Sequence, residues 1–255
     1  MAPEDAGDLS RGSVLRKAVL ILRTLAADEQ SVTLAELTRR TGLHKATVHR
    51  LARELVELGL LERGPTGYRL ALGLFELGMR ASGERSLLEV AMPFLQELSE
   101  RTHELVHLAV RDGNEVVYVA KLGGRRQAKS PSRIGGRMPT HCTAVGKVLL
   151  AHDDDLRRTV LAAPLPRLTP HTVVAPGLLR RQLDVVTAHG VAFEHEESAL
   201  GLACVACPVF GPSGELAAAI SVTGPTSRFR PEAHSDVVRA TASAISATLS
   251  RSAAR

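Results

Sequence analysis

The sequence predicts an α+β protein with an N-terminal winged helix-turn-helix, a helical linker and a C-terminal domain whose mainly antiparallel sheet is flanked by helices. Three observations predict it. Apolar residues recur at helical spacing from Val14 to about Leu58, with Gly42 marking a tight turn between two of the helices. Two short strand-like runs then flank Gly64-Pro65-Thr66-Gly67, as a wing would. From His103 the period shortens to two, with turn residues between the runs and helical stretches interleaved.

Taken in order, residues 1–13 are acidic and polar and are expected to be disordered. Residues 14–72 form the first domain. Its first helix runs from Val14 to Ala26, and Thr33-Leu34-Ala35-Glu36 has the spacing of a capping box that opens a second, to about Thr41. A third runs from about His44 to Leu58 and stops before Gly59, and the wing strands are Leu60 to Arg63 and Tyr68 to Leu70. Residues 73–102 read as the helical linker, with a helix from Leu74 to Ser82, a break at Gly83, and a new start at the capping-box spacing of Ser86-Leu87-Leu88-Glu89. Residues 103–255 form the second domain. It opens with a hairpin turning at Asp112-Gly113. Helices follow at about Ala144 to Ala151, Asp155 to Ala162 and Leu178 to His189, then strands at Val191 to Glu196, Ala203 to Phe210 and Ala217 to Val222. A helix from Pro231 to Ser250 closes the chain.

The 255 residues suffice for two cores, and with no Trp and few aromatics those cores must be aliphatic. The net charge of +5 suits an anionic partner. No apolar run reaches the length of a membrane span, and the opening MAPEDAGDLSRG does not resemble a signal peptide. Three cysteines fit a reducing compartment better than a disulfide scaffold, so the cytoplasm is the expected location.

The third helix carries the main functional signal. No acid occurs between Leu37 and Arg53, while Arg39, Arg40, His44, Lys45, His49, Arg50 and Arg53 all do. At 100° per residue Val48, Leu51, Ala52 and Leu55 share one side, and Ala46, His49, Arg50 and Arg53 fall opposite, with Lys45 and Thr47 on the flanks. A solvated basic face is the plain alternative. The position on the second helix of a helix-turn-helix, followed by a wing, favours a double-stranded DNA operator, with Arg39, Lys45, Thr47, His49, Arg50 and Arg53 joined by Thr66 and Arg69 of the wing. A second basic stretch, Gly123 to Arg137, is read as an exposed solvated loop.

Other motifs weigh less. Cys204-Val-Ala-Cys207 has redox or zinc spacing, but residues three apart on a strand face opposite ways, so no metal site is expected. Gly146-Lys147 hints at a phosphate loop, yet His141 and Val148 stand where that loop needs Gly and Ser or Thr. A small anion or carbonyl at this helix start remains in play. Glu194, Glu196 and Glu197 read as an exposed strand end. No catalytic set and no cofactor motif emerges.

These segments together resemble the IclR family of bacterial transcription regulators. The resemblance rests on "KAVLILRTLAA", "LAELTRRTGLHKATVHRLARELVELGLLER", "GYRLALGLFELG", "HCTAVGKVLLA", "GVAFEHEES" and "CVACPVFGPSGELAAAISVTGPTSRF", in the family's order. It implies a C-terminal effector domain of GAF-like fold, homodimers or homotetramers, and control by a small metabolite, often a carboxylic or aromatic acid. By the same resemblance the effector site comprises Ala144 and Gly146, Glu194, Cys204, and Ser221 with Thr223. Glu194 stands where Asp is commoner and Thr223 where Ser is commoner, and both reshape the pocket. The expectation is a ligand-responsive transcription regulator, repressor or activator, and not an enzyme. The rivals are a GAF-like enzyme with Cys204 as nucleophile and a non-specific architectural DNA binder.

Overall fold

The computed structural model describes residues 12–26, 31–78, 82–123 and 130–253. The chain gathers into two compact units that divide between Arg85 and Ser86, within the stretch expected as a linker. Residues 1–11 of the expected disordered start lie outside the described residues.

In the first unit α1 spans Val14–Leu25, α2 Leu34–Thr41 and α3 Lys45–Glu57. Thr33 caps α2, its hydroxyl accepting from the Glu36 N–H at 3.2 Å. Only that half of the capping box forms, because the Glu36 carboxylate turns to Arg39 and Arg40. Gly42 closes the helix in the left-handed region at φ +67°, which lets α3 leave at the sharp angle of a helix-turn-helix. Val48, Leu51, Ala52 and Leu55 of α3 are buried against Leu20, Ile21, Leu25 and Leu37. The wing is β1 (Leu61–Gly64) and β2 (Gly67–Leu70), with Gly64 opposite Gly67 and Pro65-Thr66 as the tip. Val32 bridges to Tyr68 and anchors the wing to the chain before α2. A short α4 (Leu72–Gly78) follows.

The helix α5 spans Ser82–Thr102, which corrects the expected break at Gly83 and start at Ser86. Both residues sit inside it. Capping-box spacing also describes two residues on one face of a continuous helix, and an interior Gly costs only about 1 kcal/mol. Burial of Leu87, Ala91, Leu95 and Leu98 in the second unit's core offsets that cost.

The second unit is built on a six-stranded sheet: β3 (Leu105–Asp112), β4 (Glu115–Leu122), β5 (Arg137–Pro139), β6 (Ala192–His195), β7 (Leu202–Phe210) and β8 (Leu216–Pro225). The order is β5-β4-β3-β8-β7-β6, and every pairing is antiparallel. Edge strand β5 is not anticipated from the sequence, being three residues long and starting at the last residue of the stretch read as loop. One face of the sheet packs on α5 and on α9 (Ser235–Ala253), which a 3-10 turn at Pro231–His234 precedes. The other face packs on α6 (Ala144–Ala151), α7 (Asp154–Ala162) and α8 (Pro176–His189). Helices on both faces bury the central strands on both sides. Among the described residues, no helix is long and apolar enough to cross a membrane.

Candidate functional site

Two places carry the side chains singled out above, one in each unit. On the first, Lys45, Ala46, His49, Arg50 and Arg53 of α3 are all exposed, and Thr47 is half-buried. His44 is the N-cap of α3 but makes no side-chain capping bond. The acid-free stretch is not free of acids in space. Glu36 holds both Arg39 and Arg40, and the two guanidinium groups keep its carboxyl down at about 2. Arg50 pairs with Glu54 at 2.8 Å and Arg53 with Glu57 at 3.5 Å, each one helical turn on, and Arg69 of the wing pairs with Glu62. The signal was available in the spacing, since these acids stand three or four residues away along a helix or across the hairpin. Exposed pairs of this kind contribute about 0–1 kcal/mol, so a phosphate can take the guanidinium from its carboxylate. Thr66 is exposed at the wing tip.

Of the second basic stretch, Arg125, Arg126 and Lys129 lie outside the described residues. Arg133 is exposed, and Arg137 on β5 is paired with Asp112 and Glu115.

The second place is the sheet face beneath α6. Directly opposed residues of antiparallel strands point the same way, and the register sets Glu194 opposite Cys204, Cys204 opposite Thr223, and Ser221 opposite His107. Glu194, Cys204, Ser221 and Thr223, from three strands, thus share one face. Helix α6 packs on this sheet, and Ala144, Val145, Cys204 and Tyr118 belong to one buried cluster. Thr143 caps α6, and its hydroxyl accepts the Gly146 N–H at 3.1 Å. The Gly146 N–H is therefore taken within the chain. Among the described residues the N–H groups of Ala144 and Val145 have no acceptor. Gly146 serves close approach instead, since a Cβ there would lie 2.2 Å from the Thr140 carbonyl oxygen.

The acids in and after β6 are not an exposed strand end, which corrects that expectation. Glu194 is 2% and Glu197 6% exposed; Glu196 alone is partly open. Glu194 Oε1 accepts the N–H groups of Glu197 at 2.5 Å and Ser198 at 3.0 Å. Burial pushes its carboxyl up to about 7 against those two bonds. Lys147, 2% exposed, pairs with Glu197 and reaches the Phe193 carbonyl oxygen at 3.5 Å. Thr172 donates to the Glu197 carbonyl at 2.7 Å and Thr169 to that of Glu196 at 2.6 Å. Sequence reasoning missed this clasp, because its partners lie 25 to 50 residues apart.

Cys204 and Cys207 fall in the clusters on opposite faces of the sheet, as strand geometry requires. Thr223 Oγ1 donates to Cys204 Sγ at 3.0 Å. Burial and the nearby Glu194 push the Cys204 thiol up to about 12. No group of three or more metal-ligating side chains occurs among the described residues. His107 and Tyr118 also belong to this face and escaped the sequence reading. Their rings stack tilted, 4.9 Å apart. Burial first, and then Lys121, push the His107 imidazole down to about 3, so its ring is neutral. Burial raises the Tyr118 phenol, whose hydroxyl has no partner among the described residues.

Comparisons with known proteins match both units. The IclR helix-turn-helix domain family covers residues 14–65, and the bacterial transcriptional regulator IclR C-terminal family covers residues 79–247. The HTH-type transcriptional regulator KdgR of Dickeya chrysanthemi is 37% identical over 224 residues, spanning 86% of this chain and 73% of its own length. The HTH-type transcriptional repressor AllR of Klebsiella pneumoniae is 30% identical over 242 residues, 92% of this chain and 89% of the relative. Among solved structures, an IclR homolog from Microbacterium hydrocarbonoxydans complexed with 4-hydroxybenzoate superposes at a TM-score of 0.85 with 33% identity, covering 93% of this chain and 99% of that one. These matches cover most of both units, and the chain belongs to the IclR family of bacterial helix-turn-helix transcription regulators.

Proposed function

We propose that this regulator binds an operator through α3 and the wing, as a homodimer or homotetramer in the cytoplasm, and that a small hydroxylated carboxylic acid at the sheet face beneath α6 controls it. The observation that carries the reading is the strand register: it gathers Glu194, Cys204, Ser221 and Thr223 on one buried face under a helix N-terminus. The free N–H groups of Ala144 and Val145, with the Ser221 hydroxyl, suit a carboxylate without a cationic side chain. Glu194 and Tyr118 suit a hydroxyl at the other end of the ligand, one accepting and one donating. The 4-hydroxybenzoate bound by the Microbacterium hydrocarbonoxydans homolog has both groups.

A cysteine enzyme is disfavoured by the same geometry. The Cys204 thiol is held far from ionisation and its neighbour at 3.0 Å is a threonine hydroxyl, not a base. On DNA, Lys45, Thr47, His49, Arg50 and Arg53 of α3 address the major groove, with Arg39, Thr66 and Arg69 at its margins. An effector alters operator affinity only by binding the two functional states unequally, and the coupling is reciprocal.

The test is calorimetry of the full chain against 4-hydroxybenzoate, benzoate and lactate, followed by gel-shift titration of its promoter with each. Ser221→Ala is expected to weaken acid binding about tenfold and to leave operator affinity without acid unchanged. Unchanged acid affinity in both Ser221→Ala and Glu194→Gln would put the effector elsewhere.

A further inference from the structure

The sheet face holds one hydrogen-bonded chain that the effector residues themselves do not explain. His107 is buried, 2% exposed, between two hydroxyls. Its Nδ1 lies 3.4 Å from Ser221 Oγ and its Nε2 lies 2.8 Å from Ser132 Oγ. Ser132 Oγ lies 2.8 Å from Ser130 Oγ, which also accepts the Ser132 N–H at 3.2 Å. Lys121 Nζ donates to the Ser132 carbonyl oxygen. The chain thus runs Ser221, His107, Ser132, Ser130, from the effector residues to the segment before β5.

A neutral imidazole has one N–H and one lone pair, so it donates on one side and accepts on the other. Two arrangements satisfy the chain. In the first, Ser221 gives its proton to Nδ1, Nε2–H donates to Ser132, and Ser132 donates to Ser130. Ser221 then shows only lone pairs to a ligand. In the second, Nδ1–H donates to Ser221, Ser132 donates to Nε2, and Ser130 donates to Ser132. The Ser221 proton is then released from the imidazole and can point at the ligand, with Cys204 Sγ as its competing acceptor. Its neighbour Thr223 has already given its proton to Cys204. The charged amine of Lys147 is held by Glu197 and that of Lys121 by the Ser132 carbonyl. Ser221 is therefore the hydroxyl of the pair whose polarity can change.

We infer that His107 is a specificity-determining positioning residue of the effector site, whose Nδ1–H tautomer turns the Ser221 proton toward the ligand and so selects a carboxylate over a neutral acceptor-poor ligand. The inference rests on the effector-site reading above. It adds that this tautomer fixes the direction of every hydrogen bond from Ser221 to Ser130, so the chain ties the occupied site to the segment before β5.

The experiment uses the full chain with 4-hydroxybenzoate and 4-hydroxybenzyl alcohol as probes, and benzoate and lactate in reserve. Long-range proton–nitrogen correlation of the His107 ring reads the tautomer in the wild type, with no substitution needed. Saturation with an acid is expected to give Nδ1–H with an unprotonated Nε2. An Nε2–H or doubly protonated ring in the acid complex overturns the inference. Substitutions supply an independent arm, because an Asn amide nitrogen reaches the place of Nδ1 and a Gln amide nitrogen that of Nε2. His107→Asn is expected to hold acid affinity within about threefold, whereas His107→Gln, which keeps the Ser132 contact, loses about tenfold or more. Affinity for the benzyl alcohol should move less than about threefold in either variant. If Ser221→Ala weakens the acid but His107→Gln binds it like the wild type, the effector site stands and the role of His107 falls. If none of the three acids binds the wild type, the effector-site reading falls and this inference with it.

Discussion

The exposed face of α3 and the buried face of the β6-β7-β8-β3 sheet are built on opposite principles. Every basic side chain of α3 is set by position on a single helix, and each of its arginines has an acid one turn away. Its charges are in water, screened, and free to exchange carboxylate for phosphate. On the sheet face the polar side chains come from four strands and a loop, and Ser221, Thr223, Cys204 and His107 are held by partners 19 to 114 residues away. There the low dielectric makes every unmet donor or charge costly. A site that must meet a large polyanion needs local, replaceable contacts. A site that must enclose a small molecule needs a fixed set of buried polar groups, and it ties ligand recognition to the stability of the fold.

The contrast predicts that substitutions at the sheet face cost stability while those on α3 cost only binding. The largest effect is expected at Lys147→Met, which leaves the buried Glu197 carboxylate without its cation. Urea unfolding of that variant should show a loss of about 3–5 kcal/mol, and adding Glu197→Gln should recover most of it. A loss below about 1 kcal/mol would mean the buried pair behaves like a surface one.

The pH dependence gives a second measure, of opposite sign for two residues of the same sheet face. Between about pH 4.5 and 7 the folded chain keeps a proton at Glu194 that the unfolded chain has released, so this group's contribution is full at the acid end and is lost as pH rises through 7. His107 works the other way. Between about pH 3 and 6.5 the unfolded chain takes up a proton that the folded ring refuses, so stability falls as the solution is acidified through 6.5. The wild type should therefore lose on the order of 2 kcal/mol relative to Glu194→Gln between pH 4.5 and 7.5 in paired unfolding titrations. Parallel curves for the two proteins would mean Glu194 is ionised throughout.

Arg50→Ala and Arg53→Ala test the other side of the comparison. Each should weaken promoter binding by about 1–3 kcal/mol, and the salt slope should fall by about one unit where the lost contact is to phosphate. Melting temperatures should stay near the wild type, because exposed i,i+4 pairs contribute about 0.3–0.5 kcal/mol. Binding untouched in both variants would make the helix a solvated face. The smallest effect is expected of the cysteines. Elemental analysis should find far less than one zinc per chain, since Cys204 and Cys207 face opposite sides of the sheet. Stoichiometric zinc would break that geometry.

By itself the sequence determined what one helix or hairpin can determine. Val48, Leu51, Ala52 and Leu55 define the inner side of α3, and Gly64 and Gly67 frame the wing, because three or four residues along a helix, or two across a turn, are neighbours whatever surrounds them. The same locality separated Cys204 from Cys207. The six residues carried over by family resemblance include four that meet on one sheet face, but nothing in their spacing states it, since the other three lie 10 to 29 positions beyond Glu194. Tertiary structure decided the rest. It buried Glu194 and Glu197, which read as a polar strand end, because α6 and the Thr169–Thr172 turn close over that loop. It ran α5 through Gly83 and Ser86, because burial of Leu87, Ala91, Leu95 and Leu98 outweighs the local signals. It brought His107 within reach of Ser221 and Ser132, 114 and 25 residues away. Register between distant strands sets such contacts, and register is fixed only when the whole sheet and the helices on both faces are in place.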